Sequence, residues 1–382
     1  MANAGPLDGI RIIELAGLGA LPFGSLKLAD MGASIVRVER TSDVPADRSG
    51  PRRHSAWDRG RRSIAVDLKN PAGVETVLRL AEAADVFLES FRPGVTERLG
   101  LGPDDVMARN PRLVYGRLTG WGQDGPLAPT AGHSLNYEAI TGVIRAIGPQ
   151  GGPPVPLLQI IGDFAGGGLL LAYGVVCALF EAQRSGKGQV VDAAMVDGTM
   201  SLLAPYYGMA QSGFHTDEMG ANLFDGGAPF YNVYETADAK FVSVAPIEPH
   251  FYTLLLGKMG LAGEALPSQN DRAQWPVLRA RFAEVFRTKT RDEWCTLLEG
   301  TDACFAPVLT FNEARSYPHH VERHSFVDDR PEVAVSPRLS RTPGDPHAPS
   351  PAYPGSDTDD VLAAFGFSAS EVADLRDRGA IS

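Results

Sequence analysis

Hydrophobic positions in the first half of the chain alternate between short continuous runs and stretches of helical spacing. The runs are rich in branched apolar residues and predict buried strands over 10–15, 34–39, 85–88, 113–118 and 189–194. Helical spacing predicts helices between the runs, over 21–31, 71–84 and 103–110. Strands that alternate with helices indicate an α/β fold with a parallel sheet and right-handed crossovers.

The second half of the chain has a different pattern, which indicates a second domain. A helix predicted from 196 to about 213 is followed by a hairpin-like pair of strands, three helices and a short strand at 306–310. A chain of 382 residues is also longer than one hydrophobic core usually supports. We therefore predict a large domain over 1–195, a linker helix over 196–224, a small α+β domain over 225–320, and a return linker with the C-terminal part of the large domain over 321–382.

Composition and charge narrow the class of protein. The net charge of −11 argues against nucleic-acid binding, which needs a basic face to displace counterions. Three cysteines without a CxxC pair, and a first segment without an apolar signal core, favour a reducing cytoplasmic location. The apolar stretch 164–180 contains three consecutive glycines and is followed by Glu181, so we expect a buried core helix and no membrane span.

One segment reverses the sign of the whole chain. The segment from Asp47 to Lys69 contains seven basic residues and three aspartates. Its arginines are Arg48, Arg52, Arg53, Arg59, Arg61 and Arg62. Guanidinium groups bind phosphate through paired hydrogen bonds. The segment therefore suits a nucleotide or coenzyme A, and a solvated loop is the equally weighted alternative.

Three acid/base candidates stand at chain breaks marked by glycine or proline, and they are His133, Asp163 and Glu248. An imidazole and carboxylates tuned by burial can exchange protons near neutral pH, and groups on opposite sides of one carbon can invert it. Each also has a structural interpretation: Asp163 as a helix N-cap, Glu248 as a helix entrance before Pro249, and His133 as a turn residue. The remaining histidines have no metal-ligand spacing, so we predict no metal site.

Several motifs together resemble the family III coenzyme A-transferase superfamily and, within it, the α-methylacyl-CoA racemases. The resemblance covers nearly the whole chain and includes 7–17, 28–33, 36–40, Phe91-Arg92-Pro93-Gly94, Gly120-Trp121-Gly122-Gln123, Ser185-Gly186-Lys187-Gly188-Gln189 and Glu248-Pro249. It implies a Rossmann-like large domain joined by long linkers to a small domain, in an interlocked homodimer. The implied substrate is an acyl-CoA thioester, with coenzyme A as part of the substrate and no further cofactor.

The resemblance also implies roles for individual residues. His133 and Glu248 would form one proton-transfer pair, with Glu248 supplied by the partner chain, and Asp163 would serve the opposite face of the thioester α-carbon. Backbone N–H groups at the helix that begins near Asp163 would hold the thioester oxygen. The residues that match the family's coenzyme A contacts are Arg40, Lys69, Arg92 and Arg98.

Two alternatives stay open. Transferases of the same superfamily use the aspartate matching Asp163 as a nucleophile, but their first-loop glutamine and four-glycine loop are replaced here by Gly17-Leu18-Gly19 and Asp225-Gly226-Gly227-Ala228. The other alternative is a non-catalytic coenzyme A-binding protein. One departure from the racemases is Ser134, because they usually carry an aspartate immediately after the catalytic histidine.

Overall fold

The first half of the chain folds as the alternation of strands and helices predicts. The computed structural model describes residues 5–47, 57–327, 330 and 332–382. Six parallel strands make up its main sheet within these residues: β1 Arg11–Leu15, β2 Ser34–Glu39, β3 Arg61–Ala65, β4 Val86–Glu89, β5 Val114–Thr119 and β6 Val190–Ala194. Their order is β3-β2-β1-β4-β5-β6. The predicted α/β class is confirmed.

Helices cover both faces of this sheet. They are α1 Ala20–Asp30, α2 Pro71–Glu82, α3 Val95–Arg98, α4 Pro103–Arg109, α5 Ser134–Ala139, a π-helical segment Ile160–Leu169 and its continuation α6 Leu170–Ser185. Ile12 and Ile13 are adjacent in β1 and fully buried. Ile13 belongs to one apolar cluster, and Ile12 belongs to a second, separate cluster. Successive strand residues point to opposite faces, so the sheet has a core on each side.

The strand order reverses beside β1, which pairs with β2 on one side and β4 on the other. In open parallel sheets, the carboxyl ends of the strands at such a reversal form the crevice where ligands bind. The loops after β1, β2 and β4 therefore mark the expected site.

The strand β3 lies in the basic segment and was not expected. Arg61 is 2% exposed; its guanidinium pairs with the buried Glu14 at 3.0 Å and donates to Pro22 O at 2.7 Å. Arg59 is also buried and pairs with Asp30 at 2.7 Å. The interpretation of these two arginines as a phosphate-binding rim is wrong, because their charges are used inside the fold. Arg48, Arg52 and Arg53 lie outside the described residues.

The apolar stretch predicted as a buried core helix is only partly buried. It lies in Ile160–Ser185, and among the described residues this is the one helix with the length and composition to span a bilayer, a match of length and composition only. The apolar window of that helix is 39% buried. The expectation of a buried helix is therefore wrong for one face, which carries Leu169, Tyr173, Val176 and Phe180 in exposed positions.

The glycines of this stretch allow close packing. A Cβ added at Gly168 would lie 2.5 Å from the carbonyl oxygen of Ala20, and one at Gly24 would lie 2.5 Å from the carbonyl oxygen of Gly168. Both distances are shorter than any real contact of a Cβ. The paired glycines therefore bring α1 and the π-helical segment backbone to backbone.

The chain divides into two compact units. The first comprises Met1–Thr141, Leu157–Leu202 and Phe326–Ser382, and the second comprises Gly142–Pro156 and Leu203–Ser325. The sequence boundaries assign 142–156 to the large domain, whereas it belongs to the second unit here. The helix within the predicted linker, α7 Met195–Gln211, ends before 224.

In the second unit, three antiparallel strands form a sheet within the described residues: β7 Asn232–Glu235, β8 Phe241–Val244 and β9 Phe305–Val308. The helices after β8 are α8 Pro249–Met259, α9 Trp275–Phe286, α10 Arg291–Leu298, α11 Phe311–Ser316 and α12 Pro318–Glu322. The tail of the first unit adds α13 Thr358–Ala364 and α14 Ala369–Asp377.

Candidate active site

Asp163 lies at the carboxyl edge of the sheet, next to the loop after β1. It is inside the first turn of the π-helical segment, whose N-cap is Gln159, so the N-cap interpretation of Asp163 is wrong. A Cβ added at Gly19 would lie 3.1 Å from Asp163 Oδ2, and Gly19 has φ +64°. Glycine adopts this positive φ without strain and has no Cβ to meet the carboxylate. It therefore lets the start of α1 approach Asp163.

His133 stands immediately before α5 and is exposed. Its backbone N–H donates to Asn136 Oδ1 at 3.1 Å, which orients the beginning of the helix. The electrostatic effect of His133 lowers the pKa of Asp163 and so favours the ionised carboxylate. The structure thus brings His133 and Asp163, two of the three predicted acid/base residues, to one place in the first unit.

Burial raises the pKa of Asp163 above the ordinary value of an aspartate. The Ser134 hydroxyl opposes this effect, the negative charge of Glu138 adds to it, and His133 opposes it. A carboxyl group whose pKa is raised toward neutrality is better suited to both take and return a proton. The environment of Asp163 therefore fits an acid/base role.

Tyr137 and Trp121 form an aromatic wall beside His133. Their ring centroids are 4.7 Å apart at an interplanar angle of 89°, and the Tyr137 hydroxyl donates to the carbonyl oxygen of Gly132. Burial raises the pKa of Tyr137, the charge of Asp163 raises it further, and the charge of Arg92 lowers it. Arg92 is therefore close enough to act electrostatically on the residues of this site.

The four predicted coenzyme A contacts all follow carboxyl ends of strands. Arg40 follows β2, Lys69 follows β3, and Arg92 and Arg98 follow β4; all four are exposed. The parallel strands place their carboxyl ends on one edge of the sheet. This edge therefore presents four cations to solvent.

Apolar side chains are close neighbours of the acid/base residues along the chain. Phe164 packs against Phe23 and Trp57, with ring centroids 4.9 and 5.5 Å apart. Other large apolar side chains next to the site residues in sequence are exposed: Leu18 (93%), Leu135 and Ile160. Exposed apolar side chains thus flank the segments that carry the site residues, and they suit an apolar substrate group.

Glu248 belongs to the second unit. It is the residue before α8, with Pro249 in the first helical position, as the helix-entrance interpretation predicts. Its carboxylate makes no capping hydrogen bond and is exposed. Burial raises the pKa of the Cys304 thiol, and the negative charge of Glu248 adds to that shift. The meeting of Glu248 with His133 and Asp163 stays a prediction.

One expectation about the backbone is corrected. The N–H of Gly162 donates to Glu138 Oε1 at 2.8 Å, and the N–H of Asp163 donates to Ser134 Oγ at 3.1 Å. These two donors are engaged within the protein, so the expected oxyanion site cannot be built from them. Sequence reasoning missed Glu138, although its position four residues after Ser134 places both on one helix face.

No group of three or more His, Cys, Asp or Glu in the described part of the chain could hold a metal ion.

The chain is similar to known proteins along nearly its whole length. The family model described as CoA-transferase family III matches residues 7–358. The chain is 46% identical to α-methylacyl-CoA racemase of Mus musculus and 44% identical to that of Homo sapiens, over 97% of this chain and 96% of each relative. A solved CAIB/BAIF family protein from Brucella suis is similar with a TM-score of 0.81 and 26% identity, over 95% of this chain and 100% of that one.

Proposed function

The chain belongs to CoA-transferase family III, and from that premise we propose that it is an isomerase that interconverts the (R) and (S) forms of 2-methylacyl-CoA thioesters. The observation that carries the proposal is the juxtaposition of His133 with Asp163, whose pKa is raised by burial. Similarity to the two mammalian racemases along nearly their full length supports the same activity.

The reaction is a proton transfer at the carbon next to the thioester carbonyl. One base removes the α-proton, a planar enolate forms, and a proton returns to the opposite face. Asp163 serves one face, and His133 with Glu248 serves the other. In the reverse direction each group takes the opposite role, so each must be able to hold and release a proton.

Charge on the enolate oxygen needs stabilisation during the reaction. The N–H groups of Gly162 and Asp163 already have partners within the protein. The enolate oxygen is therefore stabilised by the loop Gly17–Leu18–Gly19 and the beginning of α1. The amino end of a helix carries partial positive charge and N–H groups without partners inside the helix. Gly19 places this helix end next to the Asp163 carboxylate.

The activity is tested by incubating one pure diastereomer of a 2-methylacyl-CoA with the protein and separating the products by chiral chromatography. A racemase converts either pure form into a mixture of both. A transferase using Asp163 as nucleophile leaves the configuration unchanged and consumes the thioester only when a carboxylate acceptor is added. The second outcome, or no turnover in either assay, would overturn the proposal.

Coenzyme A binding is assigned to the cations that follow β2, β3 and β4. We expect Arg98→Glu to raise KM and the Kd for free coenzyme A by about 10- to 100-fold, with a much smaller change in kcat, because a phosphate loses a charge-assisted hydrogen bond. Calorimetric titration measures the Kd directly. Arg112→Glu is the matched control, because Arg112 is exposed just before the amino end of β5, on the opposite edge of the sheet. Unchanged coenzyme A affinity in Arg98→Glu would remove Arg98 from the site.

A homodimer is proposed from the exposed apolar face of Ile160–Ser185. Leu169, Tyr173, Val176 and Phe180 recur at intervals of four and three residues, so they lie along one side of the helix. Tyr173 is 67% exposed and Phe180 is 63% exposed. Side chains of this size are usually covered in soluble assemblies, and the resemblance to interlocked dimers supports a second copy of the chain as the cover.

A further inference from the structure

Glu138 is a buried carboxylate next to the proton-transfer residues. It is 1% exposed and lies on α5, where its Oε1 accepts the Gly162 N–H at 2.8 Å and the Ser134 hydroxyl at 2.9 Å. Both donors are neutral. Buried carboxylates elsewhere in the same unit have arginine partners, as Glu14 has Arg61 and Glu89 has Arg117.

The contacts of Glu138 fix the backbone that carries Asp163. The Ser134 hydroxyl accepts the Asp163 N–H at 3.1 Å, so one hydroxyl links the Glu138 carboxylate to the backbone of Asp163. A Cβ added at Gly162 would lie 2.6 Å from Ser134 Oγ and 2.9 Å from Glu138 Oε1. The network therefore holds the first turn of the π-helical segment in contact with α5.

We propose that Glu138 is a positioning residue for the proton transfer: acting through Ser134 and Gly162, it fixes Asp163 in place and supplies a negative charge beside the pair of Asp163 and His133. This proposal rests on the proposed racemase function. Ser134, the residue directly after His133, carries no charge, and Glu138 provides a carboxylate one helical turn further along the same face.

The charge of Glu138 has a defined effect on Asp163. Two carboxylates near each other raise the pKa of the one that titrates, because the second negative charge disfavours ionisation. Glu138 acts on Asp163 in this direction. Among the described residues, the other charged or titratable groups that act at this place are His133, which lowers the pKa of Asp163, and Tyr137 and Arg92. Within the described part of the chain Glu138 pairs with no arginine or lysine, and leaving a buried carboxylate without a cationic partner costs stability, which a role in the reaction explains.

Glu138→Gln tests the charge while its amide oxygen can still accept both hydrogen bonds. We expect kcat to fall by about tenfold with KM within about twofold of wild type, because the loss concerns positioning and proton affinity and not thioester binding. The acidic limb of the pH profile, in the direction in which Asp163 is the base, should move to lower pH by about 0.5–1 unit. The double variant Ser134→Asp/Glu138→Gln, which returns a carboxylate to the preceding turn, should bring kcat back to within about threefold of wild type.

The matched control is Glu181→Gln. Glu181 also accepts a serine hydroxyl, Ser185 Oγ at 3.1 Å, but it is exposed near the end of α6, away from Asp163. Its kcat and pH profile should match wild type. If near-ultraviolet circular dichroism shows that Glu138→Gln does not fold, Ser134→Ala is tested instead. Ser134→Ala keeps the contact of Glu138 with Gly162 and removes the link to Asp163. It should lower kcat several-fold at unchanged KM.

A second readout needs no turnover. In protein labelled with carbon-13 at aspartate carboxyl groups, the resonance lost in Asp163→Asn should titrate at lower pH in Glu138→Gln than in wild type. An unchanged Asp163 titration, or an unshifted pH limb, or a double variant no better than Glu138→Gln, would overturn the positioning role. Failure of wild-type protein to invert any 2-methylacyl-CoA, with the carboxyl titration still shifted, would instead overturn the proposed function.

Discussion

Asp163→Asn is expected to lower the rate of stereochemical inversion by about 10²–10⁴-fold, the usual contribution of a positioned acid or base. The amide has the size of the carboxylate and still fits beside Gly19, but it cannot take the α-proton. His133→Ala should cause a loss of the same order, because proton transfer on the opposite face fails. The measurement is kcat for inversion in each direction, with folding checked by circular dichroism.

Asp192→Asn is the matched control for this prediction. Asp192 is an exposed aspartate in β6 whose pKa is also raised by partial desolvation, and its carboxylate accepts the Gln123 N–H at 3.4 Å. Its rate should stay within about threefold of wild type. Inversion at the wild-type rate in Asp163→Asn or His133→Ala would contradict the assignment of two opposed bases.

Mixed dimers are expected to regain activity from two inactive proteins. If Glu248 reaches the site from the partner chain, a heterodimer of Asp163→Ala and Glu248→Ala contains one complete site. Purified through two different tags after co-expression, it should have about half the wild-type activity per dimer. Each homodimer should be inactive. Sedimentation must show a dimer first, and a fully active monomer would end the proposal.

The control for this experiment is a heterodimer of Asp163→Ala and His133→Ala. These residues lie in the same unit of one chain, so each site of that heterodimer lacks one of them and stays inactive. Rescue by Glu248→Ala but not by His133→Ala is the pattern of a shared site. If neither pair is rescued, the residues of each site come from a single chain.

The hydrophobic pattern was sufficient for most of the sheet, because five strands consist mainly of apolar residues. The pattern did not predict the strand β3, because it begins Arg61-Arg62-Ser63 and its apolar residues are only Ile64 and Ala65. The pairing of Arg61 with Glu14 neutralises a charge that sequence reasoning placed on the surface. Pairing between residues 47 positions apart leaves no local signal.

Some residues of the candidate site could likewise be predicted from the sequence, and others could not. His133 and Asp163 could be named from glycine-marked breaks and the family resemblance, and the basic residues from their motifs. The role of Glu138 could not, because it depends on the close approach of α5 to Gly162, a contact between residues 24 positions apart. The exposed side of Ile160–Ser185 was missed because a helix that is apolar all round has the composition of a buried one.

A racemase makes and reprotonates an enolate at the α-carbon, and exchange of the α-hydrogen with solvent measures this step directly. Proton NMR of a 2-methylacyl-CoA thioester in deuterium oxide should show the α-proton signal disappear and the 2-methyl doublet collapse to a singlet when wild-type protein is added, with no carboxylate acceptor present. The rate should fall by about 10²–10⁴-fold with Asp163→Asn. An α-proton that persists with wild-type protein, while added carboxylate acceptors are converted to thioesters, would contradict the racemase account and favour group transfer.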